Sequence, residues 1–434
     1  MTRRPNKINV ITLGCSKNLV DSEVLMRQVD AQGIEVVHDS DDADARTVVI
    51  NTCGFIQDAK QESIDTILDY VRAKEAGLLD AVYVMGCLSE RYKKDLAGEI
   101  PEVDQYFGVN DIRQIIAAIG GDYRKELVGE RLLTTPSHYT YLKISEGCDR
   151  KCSFCAIPLI RGRQKSISQE ELTAEAGLLV EKGAKELILI AQDLTAYGMD
   201  LYGKRELPRL LESLAGLNQL PWIRLHYAYP ADFPDEILYQ MRDIPNICSY
   251  LDIPLQHISD PVLTKMHRGI DRQGTLELVN RIRNIVPEAA LRTTMLVGHP
   301  GEGEKEFREL FDFVQSARFE RLGVFAYSEE EDTWGAKNLK DSIPDDVKKS
   351  RVEELMQLQQ SISLNINEKR VGEVLRVLID RREGDYYVGR TEFDSPEVDN
   401  EVLLKSKSEL DTGSFKDVHI TEAREFDLYG FAVE

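Results

Sequence analysis

The alternation of apolar strand-like runs with helical runs is the feature that most constrains the fold of this 434-residue chain. Near the amino end it occurs three times, in INVITLGC, TVVINTCGF and AVYVMGCL, each followed by a helical stretch. From His138 it occurs about six more times, in YTYLKISEG, ELILIAQD, IRLHYAY, SYLDIPLQ, LRTTMLVG and RLGVFAYS. Strands that alternate with helices are typical of parallel α/β sheets. The sequence therefore predicts an α/β protein with an N-terminal parallel domain and a central partial (β/α)6 barrel.

The last part of the chain has a different pattern. From Glu368 it contains short strand-like runs with turns at Glu383-Gly384 and at Asp411 to Ser414, which is typical of a small closed all-β barrel. Because 434 residues exceed what one core usually supports, several domains are expected. We predict three, at residues 1–136, 137–366 and 367–434, and the polar stretch from Glu130 to Ser137 marks the first boundary.

Three cysteines, Cys148, Cys152 and Cys155, lie at a C-x3-C-x2-C spacing in the loop after the first barrel strand. The carboxyl ends of barrel strands form the functional rim. Three thiolates hold three corners of a 4Fe-4S cluster and leave one iron open to a small molecule, which makes these residues candidate catalytic ligands. The alternative is a zinc site with His138 or a distant cysteine as fourth ligand, although structural zinc sites favour paired short spacings.

Three further cysteines, Cys15, Cys53 and Cys87, each end one of the N-terminal strands beside a glycine. The carboxyl ends of parallel strands share one crevice, so these residues are expected to meet there. A single buried cysteine is usually a small hydrophobe, but three in the same topological position predict a second cluster site. The adjacent glycines are expected to turn the backbone sharply and to admit a bulky cofactor. Cys248 has no partner spacing and is predicted to be a structural thiol.

Polar residues end several other barrel strands, as a binding pocket for a polar small molecule requires. Glycines allow close approach, while carboxylates and amides accept hydrogen bonds from ammonium and hydroxyl groups. Each residue also has an ordinary alternative: a turn for the glycines, a helix cap for the carboxylates, and a satisfied structural histidine for His257. The candidates are Gln192, Asp193, Gln256, His257, Gly298 and Glu302.

Charge and composition limit the partners and the compartment. The net charge of −21 argues against a broadly basic nucleic-acid surface and suggests a basic partner or a well-solvated surface. The C-terminal region carries 17 acidic against 10 basic residues, whereas a nucleic-acid-binding barrel needs a basic face. The sequence has no apolar leader and no apolar run near the ~20 residues of a membrane span. We expect a cytoplasmic protein, and seven cysteines in a reducing compartment point to metal ligation rather than disulfides.

The loop GCDRKCSFCAIPLIRG, with Phe154 before its last cysteine, resembles the signature of the radical S-adenosylmethionine (SAM) enzymes. Together with the N-terminal cysteines, PLQHISDPVLTKMHRG, GHPGE and the C-terminal barrel, it resembles the methylthiotransferases over nearly the whole chain. Within that family, TLGCSKNLVDSE and YYVGRTEFDSPEVDNEV resemble the members that modify an aspartate of small-subunit ribosomal protein twelve. One departure is Ala191-Gln192-Asp193, where many radical SAM enzymes have Gly-Gly-Glu.

This resemblance implies two 4Fe-4S clusters and SAM as cofactors, and a C-terminal TRAM domain. Cys148, Cys152 and Cys155 would hold the cluster that cleaves SAM, and Cys15, Cys53 and Cys87 the cluster that supplies the methylated sulfur. The SAM pocket would be lined by Phe154, Gln192, Asp193, Gln256, Gly298 and Glu302.

The resemblance also implies the partners. The basic ribosomal protein would be recognised by the acidic C-terminal domain, with Glu392, Asp394, Glu397 and Asp399 as candidate contacts. An electron donor protein would supply reducing equivalents, no membrane would be involved, and nucleic acid would be met only as part of the ribosome. Two alternatives remain open: a tRNA adenosine methylthiotransferase, and a non-enzymatic iron-sulfur electron carrier or scaffold.

Overall fold

The structure is a computed structural model that describes residues 5–433, so the outermost ends of the first and last predicted domains lie outside the described residues. The chain divides into two compact units. The first holds the chain up to Thr135 with Tyr141–Asp149 and Cys155–Leu178, and the second holds Pro136–Thr140, Arg150–Phe154 and the chain from Leu179 onward. The predicted bounds of the three domains stay predictions.

A five-stranded parallel sheet forms the centre of the first unit, with strand order β2-β1-β3-β4-β5. Strand β3 is buried at every position, and alternate residues of the sheet join two separate apolar clusters, one on each face. The three predicted strands are present, whereas the short β2 and β5 were not predicted. The elements are β1 (Lys7–Thr12), α1 (Ser16–Asp30), β2 (Glu35–His38), β3 (Thr47–Thr52), α2 (Gln57–Glu75), β4 (Ala81–Gly86), α3 (Cys87–Glu99), β5 (Gln105–Tyr106) and α4 (Ile112–Ala118).

Six parallel strands form the partial barrel in the order β13-β12-β11-β10-β9-β6, which confirms the predicted architecture. The strands and the longer helices match the apolar runs, although helices α10 and α11 were not singled out. The elements are β6 (Tyr139–Lys143), β7 (Ser145–Glu146), α5 (Ile157–Ile160), β8 (Lys165–Ser166), α6 (Gln169–Glu181), β9 (Glu186–Ile190), α7 (Met199–Tyr202), α8 (Leu207–Ala215), β10 (Trp222–Leu225), α9 (Asp235–Asp243), β11 (Ile247–Asp252), α10 (Asp260–Met266), α11 (Arg272–Ile285), β12 (Ala290–Val297), α12 (Glu304–Ala317), β13 (Arg321–Ala326), α13 (Trp334–Asn338) and α14 (Asp345–Glu368).

The C-terminal region is a closed five-stranded barrel, as predicted, with order β14-β15-β16-β18-β17. Its interior is a cluster of apolar side chains from all five strands, mostly aliphatic with Tyr387 from β15. The predicted final strand run is two antiparallel strands, because the chain turns where Arg424 N donates to Asp427 O at 2.8 Å. The elements are β14 (Val374–Glu383), β15 (Tyr386–Arg390), β16 (Glu401–Lys405), β17 (Phe415–Ala423) and β18 (Asp427–Ala432).

The segment after β15, residues 391–399, packs against strands β10, β11 and β13 of the partial barrel, within the second unit. The Glu392 carboxylate accepts from the Ser249 amide at 3.0 Å, and its carbonyl accepts from Arg224 at 2.7 Å. Asp394 pairs with Arg321. These bonds tie the small barrel to strands of the partial barrel.

The predicted substrate contacts of this segment are corrected by these bonds. Asp399 accepts from the Tyr250 hydroxyl at 2.7 Å, and the side chains of Asp394 and Asp399 are 3% and 1% exposed. Glu392 is half-buried against β11, and only Glu397 remains exposed. The physical reason is that the buried arginines at these strand ends need anionic partners, since an unpaired buried charge is strongly destabilising.

Among residues 5–433, no helix combines the length and the apolar character that crossing a bilayer requires.

Candidate active site and cysteine centres

The three N-terminal cysteines follow strands β1, β3 and β4, which are neighbours in the sheet. Cys15 precedes α1 as its N-cap, Cys53 comes directly after β3, and Cys87 is the first residue of α3. Cys53 and Cys87 are buried and Cys15 is exposed, and none of the seven cysteines forms a disulfide. The three cysteines therefore follow the carboxyl ends of three adjacent strands, as the sequence predicts.

The glycines beside these cysteines bring the three loops into contact. A Cβ on Gly14 would lie 2.7 Å from the Cys53 Cβ, and one on Gly54 would lie 2.7 Å from the Leu88 Cα. A Cβ on Gly86 would lie 2.5 Å from the Thr52 carbonyl oxygen. The expectation that these glycines make room for a cofactor is thus wrong. The space beside each glycine is occupied by a neighbouring loop of the protein.

Asn18, a fully buried residue in the first turn of α1, ties these loops together. Its Nδ2 donates to the carbonyls of Leu13 at 2.8 Å and Thr52 at 3.1 Å. Its Oδ1 accepts from Arg161 Nη2 at 2.6 Å and lies 3.6 Å from the Cys87 Sγ. Sequence reasoning missed Asn18, although a polar residue at a buried helix position three residues after Cys15 is a signal for it.

Burial and the positive charge of Arg161 have opposite effects on the pKa of Cys87. Burial raises the pKa of Cys87 to about 12, the negative charges of Cys15 and Cys53 add to this, and Arg161 acts in the opposite direction. Burial and the Cys15 charge also raise the pKa of Cys53. Since metals bind the thiolate, the Arg161 guanidinium favours the ligating form of these residues.

Within the first unit, the chain that leaves the second cysteine loop packs onto this site. Cys87 shares an apolar cluster with Ala156 and Ile160, which follow Cys155 along the chain. The Cys148 amide donates to the Gly162 carbonyl at 3.1 Å, and so closes the loop back onto the residue next to Arg161. A direct covalent and hydrogen-bonded path therefore joins the two cysteine sets.

Cys152 lies beside an aromatic and cationic group in the second unit. Its Sγ is 3.2 Å from Arg268 Nη1 and 3.7 Å from the Tyr229 hydroxyl oxygen. The Tyr229 ring lies between two guanidinium groups, 4.0 Å from that of Arg150 and 4.5 Å from that of Arg268. The sequence did not reveal Arg150, Tyr229 and Arg268 as neighbours of this site, because Tyr229 and Arg268 are distant from Cys152 along the chain.

Asp193 anchors the cysteine loop. Its Oδ2 is 2.7 Å from Arg150 Nε, and its Oδ1 accepts from the Thr195 amide at 2.9 Å as the cap of a short 3-10 helix. The side chain is fully buried. Asp193 is therefore a helix cap, which is the ordinary alternative considered for it in the sequence. Both of its carboxylate oxygens are bonded within the protein.

Glu302 is bonded in the same way. Its side chain is fully buried, and its oxygens contact Arg351 Nη1 at 2.7 Å, the Gly298 amide at 2.9 Å and His257 Nε2 at 3.3 Å. A Cβ on Gly298 would lie 2.9 Å from the Lys348 Cδ on α14. The GHPGE segment is thus a packed turn held by Glu302.

Two non-glycine residues at the strand ends have left-handed backbones: Tyr227 after β10, with φ +66°, and Gln256 after β11, with φ +74°. Such conformations cost ~1–3 kcal/mol and concentrate at functional sites. Gln192, after β9, is half-buried. The predicted rim therefore carries both polar side chains and strained backbone. Tyr227 was not predicted, because no sequence pattern reveals a left-handed backbone at a residue other than glycine.

Phe154 packs beside an apolar cluster of Val262, Met266, Leu296 and Tyr327, with its ring 6.2 Å from that of His299. His299 is fully buried, and burial lowers its pKa to about 4, so the ring is neutral at neutral pH. The His299 Nε2 lies 3.4 Å from the hydroxyl oxygen of Ser153, so His299 contacts the cysteine loop next to Cys152.

The other two residues weighed from the sequence lie against the C-terminal barrel. His138 Nε2 is 2.8 Å from Asp380 in β14, and that bond removes support for His138 as a zinc ligand. Cys248 is buried in an apolar cluster with Trp222, Tyr250 and Leu378, a setting that suits a structural thiol.

The sequence matches three family profiles: "Uncharacterized protein family UPF0004" over residues 7–108, "Radical SAM superfamily" over 142–314, and "TRAM domain" over 371–433. It is 57% identical to "Ribosomal protein uS12 methylthiotransferase RimO" of Flavobacterium johnsoniae, over 98% of each chain. A protein of the same name from Phocaeicola vulgatus is 56% identical over 98% of each chain. The chain belongs to the RimO family.

Among solved structures, the RimO-family chain resembles the radical SAM methyltransferase TsrM of Kitasatospora setae, with a TM-score of 0.56 and 14% identity over 94% of this chain and 80% of that one. At this identity the likeness establishes the radical SAM fold alone.

The donor sets fit the iron-sulfur clusters that the family implies. Each set offers three sulfurs and has a cationic side chain close to it. Arg268 contacts the Cys152 sulfur directly, and Arg161 bonds to Asn18, whose Oδ1 lies 3.6 Å from the Cys87 sulfur. Across the described residues 5–433, no three His, Cys, Asp or Glu side chains are grouped as closely as a single metal ion requires. The assignment of the six thiols to clusters therefore rests on donor chemistry and family membership.

Proposed function

We propose that this protein is a radical SAM methylthiotransferase that adds a methylthio group to the β-carbon of an aspartate in ribosomal protein uS12. The observation that carries the proposal is 57% identity, over 98% of both chains, with a protein of that name. The two cysteine sets support it, because replacing an unactivated C–H bond by a C–S bond is beyond side-chain acids and bases.

In this proposal, Cys148, Cys152 and Cys155 hold one 4Fe-4S cluster and Cys15, Cys53 and Cys87 hold the other. When bound, the first supplies an electron that cleaves SAM to a hydrogen-abstracting species, and the second supplies the sulfur that is methylated and transferred.

The side chains around Cys152 position its loop. Arg268 donates toward the Cys152 sulfur, and the Tyr229 ring fixes the orientations of Arg268 and Arg150 by stacking between them. Asp193 holds Arg150 by a buried ion pair, and Glu302 holds the Gly298 turn. Gln192, Gln256, Gly298 and Phe154 remain the SAM-pocket candidates, while Asp193 and Glu302 act by holding other residues.

Substrate recognition follows from charge. The chain has a net charge of −21 and its C-terminal domain is acidic, which favours a basic ribosomal protein over tRNA phosphates. Because Glu392, Asp394 and Asp399 are bonded to the partial barrel, recognition falls to Glu397 and to other acidic surface of the C-terminal domain. We place the reaction in the cytoplasm, where ribosomes and an electron donor protein are available, with nucleic acid met only as part of the ribosome.

The test is to incubate the anaerobically reconstituted protein with SAM and a reductant, together with either uS12 or tRNA, and to measure the mass of each product. The proposal expects a methylthio mass gain on a uS12 aspartate. A gain on tRNA alone would show the tRNA enzyme, and electron transfer with neither SAM cleavage nor a mass gain would favour the carrier alternative.

Two variants separate the cysteine sets. Cys152→Ala is expected to abolish SAM cleavage and keep the other cluster, whereas Cys53→Ala is expected to keep SAM cleavage and abolish methylthiolation. Loss of both clusters from either change would show that the six thiols form one site.

A further inference from the structure

Arg161 has an unusual set of partners at the N-terminal cysteine site. Its side chain is 2% exposed, and its Nη1 contacts the carboxylates of Asp21 at 3.1 Å and Glu146 at 2.8 Å. Its Nη2 donates to Asn18 Oδ1 at 2.6 Å, and the same oxygen lies 3.6 Å from the Cys87 Sγ. The planar fork therefore bonds carboxylates with one nitrogen and the cysteine side with the other.

The carboxylates also have a cation of their own. Lys143 pairs with Asp21 and lies 2.8 Å from the Glu146 Oε2. The Glu146 carboxylate therefore has two cationic partners, Lys143 and Arg161. With two cations on two carboxylates, the role of Arg161 goes beyond neutralising them, since of the two cations it is Arg161 that bonds to Asn18, whose Oδ1 lies beside the Cys87 sulfur.

We propose that Arg161 is a positioning residue of the N-terminal cysteine site: it orients Asn18 against Cys87 and supplies the positive charge that stabilises the electron-rich sulfur group bound there. The proposal rests on the proposed function, because it requires a cluster on Cys15, Cys53 and Cys87. A buried positive charge next to a cluster raises its reduction potential, since the reduced form carries more negative charge. The same charge slows loss of the cluster by holding its thiolate ligands.

The experiment uses the full chain with Cys152→Ala, which leaves only the N-terminal cluster, and adds Arg161→Gln, Arg161→Lys or Arg131→Gln. Arg131 is the matched control, because it is equally buried in the same unit and pairs with Glu23 and Glu175 away from the cysteines. Iron content, unfolding midpoint, reduction potential and the rate of iron loss to a chelator are measured for each protein.

Arg161→Gln is expected to lower the reduction potential and to speed iron loss about tenfold or more. Arg161→Lys, which keeps the charge without the fork, is expected to recover much of the potential. Arg131→Gln is expected to lower the unfolding midpoint while leaving the potential unchanged. Equal potentials in Arg161→Gln and Arg131→Gln would overturn the proposal.

Glu146→Gln keeps the proposal testable if Arg161→Gln does not fold. It removes a negative charge from the same group and is expected to move the potential upward, opposite to Arg161→Gln, whereas an unchanged or lower potential would count against the proposal. Absence of iron from the Cys152→Ala protein itself would instead refute the proposed function.

Discussion

The Arg268 guanidinium lies 3.2 Å from the Cys152 sulfur, and it donates to the Pro254 carbonyl at 2.6 Å as well. It thereby links a cysteine of the radical SAM loop to the carboxyl end of strand β11. Groups that contact a metal ligand typically change metal affinity or activity by ~10–100-fold when removed.

Arg268→Met is therefore expected to slow SAM cleavage by ~10–100-fold, measured anaerobically with excess reductant. Arg272→Met is the control, since Arg272 is nearby but half-exposed and its closest acidic partner is Glu309, at 3.7 Å. An Arg268→Met protein that cleaves SAM at the wild-type rate would exclude this role.

Gly14→Ala is expected to strip the N-terminal cluster while the other is kept, so iron content falls by about half. The added Cβ would meet the Cys53 side chain 2.7 Å away, at a backbone with φ +91°. Gly33→Ala provides the control, because Gly33 has φ +73° and open space around it. It isolates the ~1–2 kcal/mol cost of a left-handed backbone, so equal iron loss in the two variants would rule out the steric explanation.

Arg390→Met is expected to destabilise the second unit by ~3–5 kcal/mol, because it removes the cation shared by two buried carboxylates and leaves them only Arg224 and His138 as partners. Arg390 is 2% exposed and lies 2.8 Å from Glu186 and 2.6 Å from Asp380. Arg381→Met removes an exposed pair with Glu401 in the same small barrel and is expected to cost only ~0.2–1 kcal/mol. Urea unfolding measures both, and similar costs would show that burial is not decisive.

His299 is expected to make the protein less stable as pH falls from 6.5 to about 4. Burial lowers its pKa from 6.5 to about 4, so in this window the unfolded chain binds a proton that the folded protein does not. Stability from this residue is complete above pH 6.5, and up to about 3 kcal/mol is lost as pH falls through the window. His299→Phe should flatten the pH dependence of the urea midpoint, and a dependence identical to that of the wild type would contradict the prediction.

The placement of the cysteines was accessible from the sequence. Strand periodicity and the parallel topology it implies put Cys15, Cys53 and Cys87 at neighbouring strand ends, because carboxyl ends of parallel strands share an edge. The local spacing of Cys148, Cys152 and Cys155 places these thiols in one loop without any knowledge of long-range contacts.

Other features were decided only by the tertiary structure. Arg161 meets Asn18 across 143 residues of sequence, Arg268 meets Cys152 across 116, and Arg224 meets Glu392 across 168. Polar residues have no period that reveals a distant partner, so the acidic run near Glu392 was indistinguishable from exposed surface until the fold set buried arginines against it. Apolar periodicity and short-range spacing are local, so the strands and the loop that carry the two predicted cysteine centres could be predicted without the fold. Which charges surround those centres depended on long-range packing, since burial gives a charge its partner and its energy.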